Sequence, residues 1–173
     1  MSDITAVEQQ RQRLAGIRLD EGCIVRWAPE IEQERSAAIY ALLEQNSFIV
    51  KASPEAGPYH LHLSIIDNNL LMRLSDHGGH HLDEVSLSLS PFRNLVKEYF
   101  AICEAYFSAV KGEGLSRIET LDMGRRGLHN EGAGLLSERL ESRISMDLET
   151  ARRLFTLLCV LHLRERAYLQ DSA

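Results

Sequence analysis

Cysteine is scarce in this sequence, and the few cysteines have no spacing that would build a site. The 173 residues contain Cys23, Cys103 and Cys159. Their odd number, wide spacing and lack of a C-x-x-C pair argue against a disulfide framework and against a zinc knuckle. Cys103 and Cys159 stand in apolar stretches with helical periodicity, which predicts that both are small core residues.

Long apolar runs are also missing from the sequence. No apolar stretch typical of a signal peptide follows Met1. The longest apolar run, around residues 154–163, is well short of the roughly 20 residues that span a bilayer. We therefore expect no membrane segment and a cytoplasmic location.

Basic residues are too few for general nucleic-acid binding. The chain has 19 Lys and Arg against 25 Asp and Glu, which gives a net charge of -6. The acidic excess lies in residues 1–114, with 10 basic against 16 acidic residues, whereas residues 115–173 hold 9 of each. General nucleic-acid binding draws on a positive field that this balance lacks. We expect no such binding, although a local arginine pair could hold one phosphate.

Catalytic motifs are absent as well. The sequence contains no G-x-S-x-G, no Walker A or dinucleotide-binding glycine pattern, and no cysteine beside a histidine in a basic setting. No two carboxylates have a spacing typical of a catalytic pair. The sequence leaves catalysis open but favours a protein that is not an enzyme, and it predicts no cofactor.

The patterns that are present predict an α+β fold. Residues 1–13 are expected to form a mobile or weakly helical arm, and residues 14–173 a single α+β domain. In that domain a small antiparallel β-sheet is covered on one face by one early helix and three C-terminal helices. Short strands are predicted at Ile17–Leu19 and Cys23–Val25, on either side of a turn.

The start and end signals of the helices are clear in several places. The early helix opens at Pro29, with Trp27 as an apolar staple before it, and stops near Asn46. Later helices are predicted to begin at Ser90 as N-cap, at a capping box over residues 116–119, and at Asp147 as N-cap. The last of these, expected to reach about Tyr168, is apolar all round over residues 157–163, which predicts a central position.

A β-hairpin is predicted over residues 58–76. Apolar and polar residues alternate on both strands, and Asn68 and Asn69 suit the centre of a two-residue turn. With that turn, Leu63 lies opposite Leu74 on the apolar face, and His60 lies opposite His77 on the polar face.

Histidines are concentrated in this hairpin and in the loop after it. His60, His62 and His77 are weak candidates for metal ligands, with His80 and His81 nearby, because imidazoles suit Zn, Ni or Cu. No cysteine or carboxylate has a recognisable ligand spacing with them. A solvated polar sheet face explains them as well, and the sequence therefore favours no native metal site.

The run 122–140, DMGRRGLHNEGAGLLSERL, is the best candidate for a functional site. On a helix at about 100° per residue, Asp122, Arg125 and His129 fall within the apolar arc, where buried polar groups need partners. That arc is formed by Ile118, Leu121, Leu128, Leu135, Leu136 and Leu140.

The two sides of this predicted helix have different interpretations. Asp122 would orient Arg125 or His129, either towards an anionic ligand or as part of a buried network that only fixes the packing against the last helix. Arg126, Asn130 and Glu131 point away from the arc and are expected to face a partner. Gly132 falls in the arc, where it would allow another helix to approach closely.

The glycines of this run allow a second geometry. Gly124 and Gly127 each cost about 1 kcal/mol within a helix. Residues 123–127, MGRRG, could instead be a break whose backbone N–H groups, with Arg125 and Arg126, bind an anion. This alternative predicts an anion- or nucleotide-binding protein, or an enzyme acting on a phosphorylated small molecule.

Four segments carry a resemblance to a known family. They are GPYHLHLSI at 57–65, SLSPFRNLVKEYFAICEAYF at 88–107, DMGRRGLHNEGA at 122–133 and ARRLFTLLCVLHL at 151–163. Over most of residues 16–166 the chain resembles an uncharacterised protein family of alphaproteobacteria. The resemblance implies a bacterial, cytoplasmic protein. It implies no catalytic residue and no fixed histidine cluster in the 77–81 loop.

Together these observations favour a non-enzymatic protein-interaction or regulatory module that uses the surface of the 122–138 helix. The candidate binding residues are Asp122, Arg125, Arg126, His129, Asn130 and Glu131. The expected partner is an unknown protein, and a homodimer is one form that the interaction could take.

Overall fold

The computed structural model describes residues 2–20, 29–112 and 114–171, and in residues 2–5 and 164–171 only the backbone. Its helices are α1 (Ser2–Arg11), α2 (Pro29–Glu44), α3 (Arg93–Gly112), α4 (Leu115–Leu140) and α5 (Leu148–Asp171). Its strands are β1 (Leu14–Leu19), β2 (Phe48–Val50), β3 (Tyr59–Ile66), β4 (Asn69–Ser75), β5 (His81–Ser88) and β6 (Ile144–Met146). A short 3-10 helix, Ser90–Phe92, precedes α3.

The predicted α+β class is confirmed, and one detail of the sheet differs. The main sheet has the order β1-β3-β4-β5, and β2 and β6 form a small second sheet. β3, β4 and β5 are antiparallel, as expected, but β1 runs parallel to β3, so the sheet is mixed. The whole of α2 and β2 lies between β1 and β3, and a connection of that length permits a parallel pair.

The predicted hairpin is present, but its register is wrong by two residues. Asp67 and Asn68, not Asn68 and Asn69, have the positive φ values of 50° and 60° that the turn requires. As a result Leu63 lies opposite Met72, and His60 lies opposite Ser75. Leu61, Leu63, Met72 and Leu74 still share the buried face, because a shift of two residues keeps every side chain on its side.

Helix α5 occupies the centre of the fold, as its apolar composition predicts. It contacts α2, α3, α4 and β3. Leu157, Leu158 and Cys159 have no exposed surface, and Cys103 on α3 is also buried. Both cysteines are therefore core residues, as expected. Of the helices in the described residues, none combines the length and hydropathy needed to cross a membrane.

Two predicted helix ends are confirmed in atomic detail. The Asn46 side chain donates to the Leu42 carbonyl at the end of α2, and it exchanges hydrogen bonds with both backbone groups of Leu14 in β1. At the start of α5, the Asp147 carboxylate accepts from the Thr150 N–H. The Asn46 side chain thus caps the end of α2 and also satisfies the backbone groups of Leu14 in the edge strand β1.

Two helices begin within a residue or two of the predicted positions, but their predicted N-terminal caps do not form. Ser90 is the first residue of the 3-10 helix and Leu89 takes the N-cap position, with no side-chain hydrogen bond from that cap. Helix α4 begins at Leu115 after Gly114, so Ser116 lies inside the first turn and the capping box over 116–119 does not form. The Gly114 carbonyl accepts from the N–H groups of Arg117 and Ile118, which closes this first turn.

The N-terminal segment, predicted as a mobile or weakly helical arm, contains α1. After this helix the Gln12 carbonyl accepts from the Phe48 N–H, and the Arg13 carbonyl accepts from the Tyr59 N–H. The predicted Cys23–Val25 strand and the Trp27 staple lie outside the described residues.

Candidate functional site

Helix α4 is continuous through the glycine-rich run, so residues 124–127 are helical. Its backbone N–H groups therefore bond within the helix, and the break that an anion nest would need does not form. Gly132 lies against α5, because a Cβ at this position would come within 2.5 Å of the Phe155 ring. The predicted close approach of another helix at Gly132 is thus confirmed.

The inner side of α4 holds an ion pair to a distant part of the chain. Arg125 Nη1 lies 2.9 Å from Glu34 Oε1 on α2, and the two side chains are 24% and 15% exposed. The guanidinium also lies over the Tyr106 ring of α3, 5.0 Å from its centroid. Arg125 therefore joins α2, α3 and α4.

The other carboxylate oxygen of Glu34 has its own donor. Tyr99 on α3 is buried, and its hydroxyl donates to Glu34 Oε2 at 2.9 Å. Burial raises the pKa of Tyr99 well above its usual value, and the neighbouring Cys103 and Glu34 raise it further. Because this phenol keeps its proton, it remains a donor to the carboxylate, and both Glu34 oxygens are satisfied.

His129 joins α4 to α5. Its Nε2 lies 3.1 Å from Thr156 Oγ1, and the Thr156 hydroxyl is within 3.3 Å of the Arg152 carbonyl. A carbonyl can only accept, so the hydroxyl proton points to Arg152 and His129 Nε2 carries the proton that it donates to Thr156. Burial, aided by the positive charges of nearby arginines, lowers the pKa of His129 from 6.5 to about 4. The imidazole is neutral at pH 7.

Asp122 does not orient Arg125 or His129, and this prediction is wrong. Its carboxylate lies 3.2 Å from Arg126 Nη2, one helical turn further along. The reason is geometric: Arg125 is directed to Glu34 and His129 to Thr156, which leaves Arg126 as the cation within reach of Asp122. The inner polar groups therefore serve three separate contacts.

The outer side of α4 is exposed, as predicted for Arg126, Asn130 and Glu131. Met123 is 74% exposed and the Arg126 side chain 71%. Within the described residues, and apart from the adjoining residues and the backbone of α4 itself, no atom lies within 4 Å of a Cβ built on Gly127 or Gly134. Met123, Gly127, Asn130 and Gly134 follow one another at spacings of three or four residues, so they share one face. We call these four residues the outer face of α4.

The histidines of the hairpin come together only in part. His60 Nε2 lies 3.4 Å from His77 Nδ1, and the two rings are tilted by 41°. His77 belongs to the loop after β4, so the contact does not come from the predicted cross-strand pairing. His80 contacts the Asp76 carboxylate instead. Among the described residues, no group of three or more His, Cys, Asp or Glu is placed to hold a metal.

Sequence reasoning missed the partners of the α4 polar residues: Glu34, Tyr99, Tyr106 and Thr156. Glu34 precedes the buried Ala38 and Leu42 by four and eight residues, which puts it on the buried face of α2. An acid on such a face was the available signal. Nothing local in the sequence indicates the partner of His129.

These features define an α+β protein whose long, glycine-rich helix has an anchored inner side and an exposed outer side. Residues 11–164 match the family described as "Uncharacterised protein family (UPF0262)", and the chain belongs to this family. The expected resemblance is thereby confirmed.

Relatives in several bacteria are similar over nearly their whole length. A UPF0262 protein of Ruegeria sp. (strain TM1040) is 52% identical over 154 residues, which cover 87% of this chain and 97% of that protein. A UPF0262 protein of Rhodospirillum rubrum is 52% identical over 151 residues, with coverages of 87% and 92%. One from Rhizobium meliloti is 50% identical over 152 residues, with coverages of 88% and 95%. No solved structure matches the chain.

Proposed function

We propose that the protein is a non-enzymatic, cytoplasmic interaction module, and that it binds a partner protein through the outer face of α4. The observation that carries this proposal is the pair of exposed glycines, Gly127 and Gly134, in the middle of a continuous helix. A glycine within a helix costs roughly 1 kcal/mol relative to alanine. Packing within the described chain gives no reason for either glycine, since a Cβ would meet open space at both positions.

A glycine-lined helix face has a physical advantage in binding. Without a Cβ, the backbone of α4 lets another backbone approach closely, as Gly132 lets Phe155 approach on the inner side. The exposed Met123 next to these glycines provides a flexible apolar contact. A helix or a strand from another protein is the shape of partner that this face fits.

The charges beside the outer face favour a basic partner. Glu131 and Glu138 are exposed and lie seven residues apart, so they flank the same side of the face. On the other side Asp122 and Arg126 neutralise each other. The face as a whole is therefore negative, and two copies of it would repel. Lysines or arginines on the partner would speed association and fix its orientation.

A capture experiment tests this proposal directly. The full chain is immobilised and incubated with lysate of the native bacterium, and bound proteins are compared with those held by the double variant Glu131→Lys, Glu138→Lys, which reverses the negative charge beside the outer face. We expect the variant to lose a partner that the unaltered chain retains. Binding of the purified partner should then weaken as salt is raised, because exposed charges are screened.

A matched control is available on α3. Glu98 and Glu104 are also exposed, so Glu98→Lys, Glu104→Lys makes the same chemical changes on another surface. This control should retain the partner. The proposal fails if both double variants bind the same proteins as the unaltered chain, or if the α3 variant loses the partner and the α4 variant does not.

A further inference from the structure

Strand β5 ends the main sheet, and its outer edge presents backbone groups away from the neighbouring strand. The tight turn between β3 and β4 fixes which residues of these strands exchange hydrogen bonds. In β5 the residues that bond to β4 are Val85 and Leu87. The N–H and carbonyl groups of Glu84, Ser86 and Ser88 therefore point outward.

A contact from outside the sheet confirms this orientation. The Glu84 carbonyl accepts from Arg143 Nη2 at 3.2 Å, and Arg143 belongs to the turn after α4. Ser86 and Ser88 are exposed, and their outward backbone groups have no such donor or acceptor among the residues that the structure describes. The second half of β5 is therefore an open sheet edge.

This half of β5 lacks the features that usually protect a sheet edge, which are lysine, proline, a bulge or a cover. At the opposite edge Asn46 covers both backbone groups of Leu14. The start of β5 is covered by Arg143, and its register with β4 is irregular there. Residues 85–88, VSLS, have none of these features, and their pairing with β4 is regular. Such an edge accepts another strand.

The charges along β5 do not oppose pairing with an identical strand. Asp83 Oδ1 lies 2.6 Å from Arg143 Nη2, and Glu84 Oε2 lies 3.1 Å from Arg73 Nε. Each acid has its own cation, and residues 85–88 carry no charge. Although the chain has a net charge of -6, two copies can meet at this edge without the repulsion expected between two outer faces of α4.

We propose that β5 pairs with β5 of a second copy of the chain, antiparallel and about a two-fold axis at Ser86. In this register Ser86 lies opposite Ser86 of the second copy, and Glu84 lies opposite its Ser88. An axis one residue away leaves Glu84 or Ser88 without a regular strand partner. The two four-stranded sheets then form one continuous sheet. Because the pairing segment is short, the dimer belongs with the weak interfaces that bury less than about 1,200 Å².

Sedimentation equilibrium of the full chain over a range of concentrations tests this pairing. We expect a reversible equilibrium between monomer and dimer. Ser86→Pro removes the N–H at the axis from both copies and keeps the hydrogen bonds between β4 and β5, so it should abolish the dimer. Ser86→Lys places two like charges opposite each other and should weaken the dimer about two- to fivefold.

Ser75→Lys is the matched control for the lysine variant. It adds the same charge on the same face of the sheet, but in β4, which has a strand on each side. This control should dimerise as the unaltered chain does.

Ser86→Thr gives a result that a loss of folding cannot produce. Threonines opposite each other on neighbouring strands stabilise the pair, so this variant should tighten the dimer about two- to fivefold. The Ser86 N–H should also exchange with solvent more slowly at concentrations where the dimer forms, as measured by NMR.

The proposal is overturned if the chain stays monomeric up to about 1 mM, or if Ser86→Pro and Ser86→Lys leave a dimer unchanged. The variant Glu131→Lys, Glu138→Lys separates this pairing from binding by α4, and it should still dimerise. A dimer that this variant loses and the Ser86 variants keep would lie on α4, which would also overturn pairing through β5.

Discussion

His129 is a buried base that the fold keeps neutral, and its position makes stability depend on pH. Its ring lies edge-on to Tyr99 and Phe155, with centroid distances of 5.3 and 6.3 Å, and its Nε2 donates to Thr156. Folding lowers the pKa of His129 from 6.5 to about 4. Between these two pH values the unfolded chain binds more protons than the folded chain, so stability rises with pH.

The first prediction follows from this difference. The contribution of His129 is fully present above pH 6.5 and is lost as the pH falls from 6.5 towards 4. Its size is on the order of 3 kcal/mol, because the pKa falls from 6.5 to about 4 and each unit of pKa corresponds to about 1.4 kcal/mol. His129→Gln keeps a donor for Thr156 but cannot titrate, and it should remove most of this pH dependence in urea unfolding curves.

Asn130→Gln is the control for this prediction, since it changes an exposed neighbouring position of α4 without removing a titratable group. It should leave the slope of stability against pH as it is in the unaltered chain. An equal slope in the His129→Gln and unaltered chains would show that the imidazole does not carry the effect.

Gly132 and Gly134 give the second prediction, because the same substitution should have opposite effects two residues apart. A Cβ at Gly132 would meet the Phe155 ring at 2.5 Å, whereas a Cβ at Gly134 would meet open space among the described residues. Gly132→Ala should lower the free energy of unfolding by about 1–3 kcal/mol. Gly134→Ala should raise it by about 0.5–1 kcal/mol, and two changes of the same sign would contradict this packing.

At the scale of elements, Glu34 is the acceptor through which α2 holds α3 and α4. One carboxylate oxygen accepts from Tyr99 and the other from Arg125, which lies 91 residues further along the chain. Both members of the ion pair are mostly buried, so the loss of one leaves the other without its counter-charge in a poorly hydrated place.

The third prediction concerns this ion pair. Glu34→Gln should lower the free energy of unfolding by about 1–3 kcal/mol, a value reduced because water still reaches both groups. Arg125→Met should cost a similar amount. The double variant should cost less than the sum of the two, since neither charge then remains without its partner. Additive effects in a denaturant-based double-mutant cycle would contradict a direct interaction.

The hairpin shows how far local patterns determine the fold. Alternation along residues 58–76 predicted both strands and the buried face, because a side chain on the wrong face would cost the burial of several leucines. It could not select the register, since registers that differ by two residues bury the same side chains. Only the turn distinguishes them, and Asp67, Asn68 and Asn69 all belong to residue types that tolerate positive φ.

Helix α4 shows a second limit of sequence reasoning. The helical arc correctly placed Arg125 and His129 inside and Arg126, Asn130 and Glu131 outside, whereas Asp122 lies at the boundary with its side chain 33% exposed. The partners of Arg125 and His129 come from α2, α3 and α5, and the period of a single helix contains no information about those contacts. Gly124 and Gly127 are costly in a helix, so the sequence alone did not distinguish a helix from a break at these residues. Packing of α4 against α3 and α5 favours the helix.

At the scale of the whole molecule, the two sides of α4 lie in different surroundings. Its inner side packs on α3 and α5, and its polar groups there are bonded to Glu34 and Thr156. The outer face of α4 keeps Met123 and two glycines exposed. Stability and binding are therefore expected to depend on different residues of one helix, which makes the two properties separable by substitution.

The last prediction uses this separation. The double variant Gly127→Ala, Gly134→Ala should raise the free energy of unfolding by about 1–2 kcal/mol. Because 1 kcal/mol corresponds to about 2–4 °C for a protein of this size, Tm should rise by several degrees in calorimetry. The same two methyl groups would hold a partner backbone away from α4, so affinity for the captured protein should fall. A double variant that is more stable and binds the partner as tightly as before would contradict close approach at this face. Weaker binding by a more stable variant would support it, because a loss of folding could not explain that result.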